Sequence, residues 1–223
     1  MIPFVPTATK SPLRRDAQRN RERLLAATRS AFQERGLDVG VDEIARRAGV
    51  GVGTLYRHFP TKDALIDAIV DARFAELTEA AEQALQAGDV WAGFERFLTA
   101  AVDLQAADRG FKDALAARGR DEKRVKAARR RLHGAIERLV DRGREEGALR
   151  DDVTAADVLV LLWGTARIVE RTEDVAPGQV RRFLVMHLDG LRPAAATPPP
   201  EPPLTPRQLG RAMSSGPAAR RPS

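Results

Sequence analysis

Read for the spacing of its apolar side chains, the chain keeps almost throughout to the three-and-four step of an amphipathic helix. Between Asp16 and Glu34, the residues Leu24, Leu25, Thr28, Ala31 and Phe32 share one helical face, and Gly36 stands where such a helix would end. Val41, Ile44, Ala45 and Ala48 predict a short second helix closed by Gly49. Val52, Leu55, Tyr56 and Phe59 predict a third, stopped by Pro60. Thr61 offers an N-cap to a long helix with the stripe Leu65, Ile69, Ala72, Leu77, Ala80, Ala84 and Leu85. Asp89 is placed to cap a helix through Trp91, Phe94, Phe97, Leu98, Ala101 and Val102. A brief helix is expected from Phe111 to Ala117, and a longer one from about Asp121 through Val125, Ala128, Leu132, Ile136, Leu139 and Val140 to Gly147. Thr154 and Asp157 have capping-box spacing ahead of an apolar helix reaching about Arg171, and a last helix is expected over Pro177 to Leu191. Strand alternation and internal repeats are absent from this pattern, so the predicted class is all-α with about nine helices.

The pattern stops at Pro193. Nine of the last 31 residues are proline, and Leu204, Leu209 and Met213 are the only large apolar side chains among them, so residues 193–223 are expected to lack folded structure. Cysteine is absent, which removes disulfides, thiolate metal sites and cysteine nucleophiles as explanations. The apolar start is interrupted by Pro3 and Pro6 and no apolar run approaches membrane-spanning length, so no membrane partner and a cytoplasmic location are expected. The net charge of +6 is unevenly spread. Residues 1–62 hold twelve Lys/Arg against six Asp/Glu, residues 63–192 hold 21 against 24, and the tail holds four against one. A basic first segment beside a nearly balanced middle points to a polyanion partner for the N-terminal part.

Helix-turn-helix DNA binding needs a bracing helix, a tight turn and a second helix whose exposed N-terminal residues reach base edges. Ile44-Ala45-Arg46-Arg47-Ala48-Gly49-Val50 supplies small residues where two helices approach, a glycine for the turn and an apolar plug behind it. Val52-Gly53-Thr54-Leu55-Tyr56-Arg57-His58-Phe59-Pro60-Thr61-Lys62 follows directly. Over about residues 17–72 this string resembles the TetR (tetracycline-repressor-like) family of transcriptional regulators. The resemblance implies a three-helix DNA-binding domain over residues 1–62 and a helical ligand-binding and dimerisation domain over 63–192. It also implies a homodimer on double-stranded operator DNA and a small-molecule effector that releases it. On that footing Val52, Gly53, Thr54, Tyr56, Arg57 and His58 belong to the DNA face, and Lys62 to a phosphate contact. Arg57 suits guanine O6 and N7, while Tyr56 and His58 suit phosphate oxygens. Leu55 and Phe59 read as core. Two positions depart from the family's habit. Gly40-Val41 stands where a hydroxyl residue often begins the second helix, leaving Glu43 to turn back on the Gly40 N–H, and Gly51 replaces a small hydroxyl residue. Arg14, Arg15, Arg19, Arg21 and Arg23 form a basic arm, either solvated or set on DNA.

In the larger domain Trp91, Phe94, Phe97, Phe111 and Trp163 lie on helices that surround a cavity in this family, with Arg167 and Glu170 as candidate polar lining. Plain core packing accounts for the aromatics as well, and a local ion pair for Arg167 and Glu170. Gly164 suits close approach of the last two helices in a dimer's four-helix bundle. The run Arg129-Arg130-Arg131 is read as the solvated side of its helix. His58, His133 and His187 are widely separated, so no metal site is expected, and neither a cofactor motif nor a catalytic constellation is present. The functional expectation is a ligand-released repressor. A regulator without a small-molecule effector stays open, and an all-α enzyme is the remaining class.

Overall fold

A computed structural model describes residues 12–107, 123–195 and 197–214. All regular elements among them are helical: α1 (Pro12–Arg35), a 3-10 turn (Gly36–Asp38), α2 (Val41–Ala48), α3 (Val52–His58), α4 (Lys62–Leu85), α5 (Val90–Ala107), α6 (Lys123–Glu145), α7 (Ala155–Thr172), α8 (Gln179–Gly190), a second 3-10 turn (Pro193–Ala195) and α9 (Pro206–Ser214). The expected brief helix from Phe111 to Ala117 lies outside the described residues. The described chain falls into two compact units, the first ending at Val70 and the second beginning at Asp71. The change comes within α4, later than the expected boundary after Lys62.

The first unit packs α1 on α2 and α2 on α3. Leu24, Ala31, Phe32, Ile44, Ala45, Leu55, Phe59, Leu65 and Ile69 are buried there, at the positions the periodicity selects. Thr28 sits among them with no exposure and donates its hydroxyl to the Leu24 carbonyl at 2.6 Å, which makes a polar residue tolerable in that core. Gly49 ends α2 at φ 64°, a left-handed conformation that costs glycine nothing.

In the second unit α5 packs on α6, α7 and α8, and α7 packs on α6 and α8, around Phe94, Phe97, Leu98, Val102, Ile136, Leu139, Leu162 and Leu184. Asp89 and Thr154 take the capping roles read for them. Asp89 accepts from the Ala92 N–H, and Thr154 exchanges bonds with Asp157 in a complete capping box. α8 starts at Gln179 after Gly178 at φ 78°, so Pro177 stands before the cap and not in the first turn. On α4 the buried side past Val70 is Arg73, Phe74, Ala81 and Ala84, rotated from the expected Leu77 and Ala80.

The tail also differs from its expectation. Thr205 and Gln208 cap each other, α9 follows, and its Leu209 is 5% exposed. Arg150 ties the approach to this segment, donating to the carbonyls of Gly190 and Thr197 while its backbone N–H donates to Leu191. Proline after proline forbids a long helix, but a capped helix of about two and a half turns with one apolar anchor needs no more than the nine residues it has.

Candidate nucleic-acid interface

α3 is seven residues long because Gly51, extended at φ −71°, begins it, and Pro60 follows Phe59, whose N–H closes the last turn on the Leu55 carbonyl. Its inner face is Leu55, fully buried, backed by Phe59. Every expected contact residue therefore lies off that inner face. Gly53, Tyr56 and Arg57 are exposed, and Val52, Thr54 and His58 are half-buried. A Cβ on Gly53 would meet nothing within 4 Å, so its lack of a side chain is not a packing demand and leaves the backbone open to an approaching partner. Lys62 is the first residue of α4, one residue past Thr61, whose hydroxyl accepts from the Ala64 N–H.

The bracing of this helix involves residues that periodicity alone did not assign. The Arg21 guanidinium lies 4.7 Å from the Phe59 ring centre, a cation–π contact that pins α1 to the end of α3. Arg23 donates to the Gly49 carbonyl at 3.4 Å and covers the side of Gly49 on which a Cβ would lie. Any other residue at Gly49 would thus strain the backbone and push the flexible end of Arg23 aside. Arg19 is taken up by a pair with Asp16 on the same helix.

Glu43 does not turn back on Gly40. Its carboxylate accepts a two-pronged contact from Arg46 and a third bond from Arg47, all at 2.8 Å, and Arg47 reaches on to Glu34 of α1 at 2.8 Å. The physical reason is donor strength: guanidinium forks outcompete a single backbone amide for a carboxylate. Hydrogen bonds from Arg46 and then Arg47 hold the Glu43 carboxyl down to about 2, and Arg47 likewise lowers Glu34. The signal for this brace was in the sequence, as Glu43 and Arg47 stand at i and i+4.

The residues expected to line a pocket do not stay together. Phe94 and Phe97 are buried in the second unit, and Trp91 packs its ring 6.2 Å from that of Phe94, with the Arg192 guanidinium 3.9 Å from the centre of the Trp91 ring. Trp163 is 46% exposed on α7. Arg167 and Glu170 are exposed and pair with each other at 2.5 Å, which is the local ion pair the spacing allowed. Phe111 lies outside the described residues. An open cleft of about 300 Å³ is lined by Asp141, Arg144, Glu145 and Asp151, none of them expected pocket residues. No cluster of metal-ligating side chains occurs among the described residues, and none of their helices is long and apolar enough to cross a membrane.

Known proteins resemble both parts of the chain. A family model described as bacterial regulatory proteins, tetR family, matches residues 24–69, and one described as transcriptional regulator SbtR-like, C-terminal domain, matches residues 89–193. A TetR transcription regulatory protein from Mycobacterium vanbaalenii is 36% identical, with a TM-score of 0.66 over 81% of this chain and 99% of its own. The TetR transcriptional regulator SCO0520 from Streptomyces coelicolor is 35% identical, with a TM-score of 0.65 over 78% of this chain and 99% of its own. Among curated relatives, the HTH-type transcriptional regulator SAR0097 of Staphylococcus aureus (strain MRSA252) is 35% identical over 101 residues, 43% of this chain, and the match spans 52% of that protein's length.

Proposed function

Since the chain belongs to the TetR family, whose members are transcriptional regulators and not enzymes, we propose that it is a repressor that grips a palindromic operator as a homodimer and lets go when a small molecule binds its second unit. The observation that carries the DNA half of this reading is the two-sided α3. One side is sealed into the first unit by Leu55 and Phe59, and the other presents Tyr56 and Arg57 to solvent beside Thr54 and His58. An inward-facing basic side chain would have to be paired, whereas an exposed Arg57 is free to fork onto a guanine. Arg21, held on Phe59, adds a preset cation next to the end of that helix, where phosphates flank the groove.

The dimer half rests on α7 and α8. Val160, Trp163, Val185 and Met186 are 38 to 57% exposed in the single chain, and Gly164 has open space where a Cβ would stand. Exposed apolar side chains of this size on two helices that pack together suit an interface, and Trp163 has the size and rigidity of an interface anchor. Pairing with the same face of a second copy would bury it in a four-helix bundle. The effector half has its support in the family. A regulator without a small-molecule effector is the second reading, favoured by Phe94 and Phe97 being packed core and by Arg167 and Glu170 satisfying each other.

The deciding experiment is mobility shift with DNA from upstream of the chain's own gene, run with and without a scrambled competitor. A shift that the unlabelled cognate removes and the scrambled duplex does not is the expected result. Binding that both competitors remove alike would sink the operator reading.

A further inference from the structure

α6 faces α4 with arginines at three levels, and the two elements run in the same direction across that seam. Arg142 donates to the Leu85 carbonyl at 2.6 Å, and Arg138 pairs with Glu82. Further along, Arg129 meets α4 at Phe74, its guanidinium 5.9 Å from the ring centre. Here the pattern breaks. The Arg129 Nε is buried and has no hydrogen-bond partner. The nearby acidic residue on α4, Glu76, is engaged by the buried Arg73 at 2.8 Å. The adjacent Arg130 and Arg131 are exposed, as the sequence suggests for the whole run, but Arg129 is not; Ala128 beside it and Leu132 one turn on are both buried. Burial also pushes the Arg129 guanidinium below its usual value, the sign of a charge set partly out of water without compensation. A donor left unbonded in such a place costs stability that a wetter orientation would recover, so its retention asks for a ligand or a structural reason.

We propose that Arg129 is the recognition group for an anionic effector, a carboxylate-bearing amphiphile that completes the α4–α6 seam at Phe74. A carboxylate fits better than a phosphate. Its two oxygens match the Nε and Nη edge of one guanidinium, and its single charge is neutralised by one partly buried cation, whereas a dianion would need a second free one. The Phe74 ring supplies the apolar surface against which the body of such a ligand would lie. α4 also carries Lys62 at its start, so a ligand drawn between Arg129 and Phe74 acts on the helix that holds a proposed phosphate contact. This inference rests on the effector half of the proposed function and names the chemistry of that effector.

The test uses the full-length chain with four probes of matched shape, octanoate and benzoate against octanamide and benzamide, read by melting temperature, by isothermal titration and by release of fluorescent operator DNA. The carboxylates should raise the melting temperature and the amides should not. Arg129→Gln should weaken carboxylate binding about tenfold or more, the loss of one charge-assisted fork. Arg130→Gln, on the exposed side, should keep it. The unliganded Arg129→Gln chain should melt no lower than the original, since it sheds an uncompensated partly buried charge; that result also separates loss of binding from loss of folding. Equal carboxylate binding by Arg129→Gln and the original chain overturns the assignment, as does the absence of any carboxylate effect on the original chain. Amides that bind and release operator would leave the effector reading standing while removing Arg129 from it. Carboxylates that bind through Arg129 without moving operator affinity would leave the site standing and remove its regulatory role.

Discussion

At the scale of single residues, the proposed interface would separate groups that choose a sequence from groups that hold any duplex. Arg57 is exposed on α3, where the proposed function puts it on bases, whereas Lys62 stands at the head of α4, where the same proposal puts it on a phosphate. Arg57→Ala is therefore expected to relax preference at one position of each half-site at about 1–3 kcal/mol, while Lys62→Ala weakens all sequences alike and reduces the salt slope by about one unit. Affinity measured across a randomised half-site library at several salt concentrations checks both. Uniform loss in both variants would take Arg57 off the bases. A second residue-scale expectation concerns pH. Glu43 is lowered from 4.5 to about 2 by its bonds from Arg46 and Arg47. A carboxyl lowered in the folded state stabilises it fully above its unfolded value and loses that contribution as pH falls through the folded one. The gap in melting temperature between the original chain and Glu43→Gln should thus be widest above 4.5 and close as pH approaches about 2. A gap that stays constant over that range would show that the brace acts through packing alone. Glu43 is solvent-exposed enough that screening keeps the effect small.

At the scale of elements, the first unit was legible because every one of its signals is local. Gly49 names the turn, Pro60 names the end of α3, and Ala45 and Ala48 name the close approach, each within a few residues of what it controls. The second unit was legible only as helices. An apolar side chain at helical spacing looks the same whether it faces a core, a cavity or a second copy, so Phe97 and Trp163 were indistinguishable until one proved 1% and the other 46% exposed. Arg129 hid for the same reason, since one arginine in a run of three gives no sign of which neighbour it meets. The tail was missed because composition averages over 31 residues, while α9 needs only Thr205, Gln208 and Leu209. These contrasts yield two measurements. Phe97→Ala should cost about 3–5 kcal/mol of stability, the range for removing a buried aromatic ring, whereas Trp163→Ala should leave the folded chain nearly as stable and shift it toward monomer. Equal losses of melting temperature at dilute concentration would put Trp163 in the core. Cutting the chain after Arg192 should lower the melting temperature by several degrees, because burying Leu209 contributes about 1.5–3 kcal/mol at most and each kcal/mol is worth about 2–4 °C in a chain of this size. Leu209→Ser should reproduce most of that drop, and a truncated chain that melts unchanged would show that α9 contributes nothing.

At the scale of the whole molecule, the two halves of the proposed function constrain each other. One chain carries one α3, so one chain can read one half-site, and the free energy of one short recognition helix with a few phosphate contacts is too small for specific binding at physiological salt. Two chains joined by the same face of α7 and α8 are related by a two-fold axis, and the DNA they read must share it. The expected operator is an inverted repeat whose half-sites are centred about one helical turn apart, or a multiple of it. The basic excess of residues 1–62 then counts twice in the complex, which gives a steep fall of affinity with salt. Trp163→Glu tests the linkage from the second unit. It places a charge in the proposed apolar interface while leaving α3, Arg21 and Lys62 untouched, so it should yield a folded monomer whose salt slope is roughly halved and whose footprint covers one half-site only at high protein concentration. Sedimentation and footprinting on the same preparation give the answer together. A variant that sediments as a monomer yet protects both half-sites at the original concentration would mean that the DNA, and not the α7–α8 face, brings the two recognition helices into register.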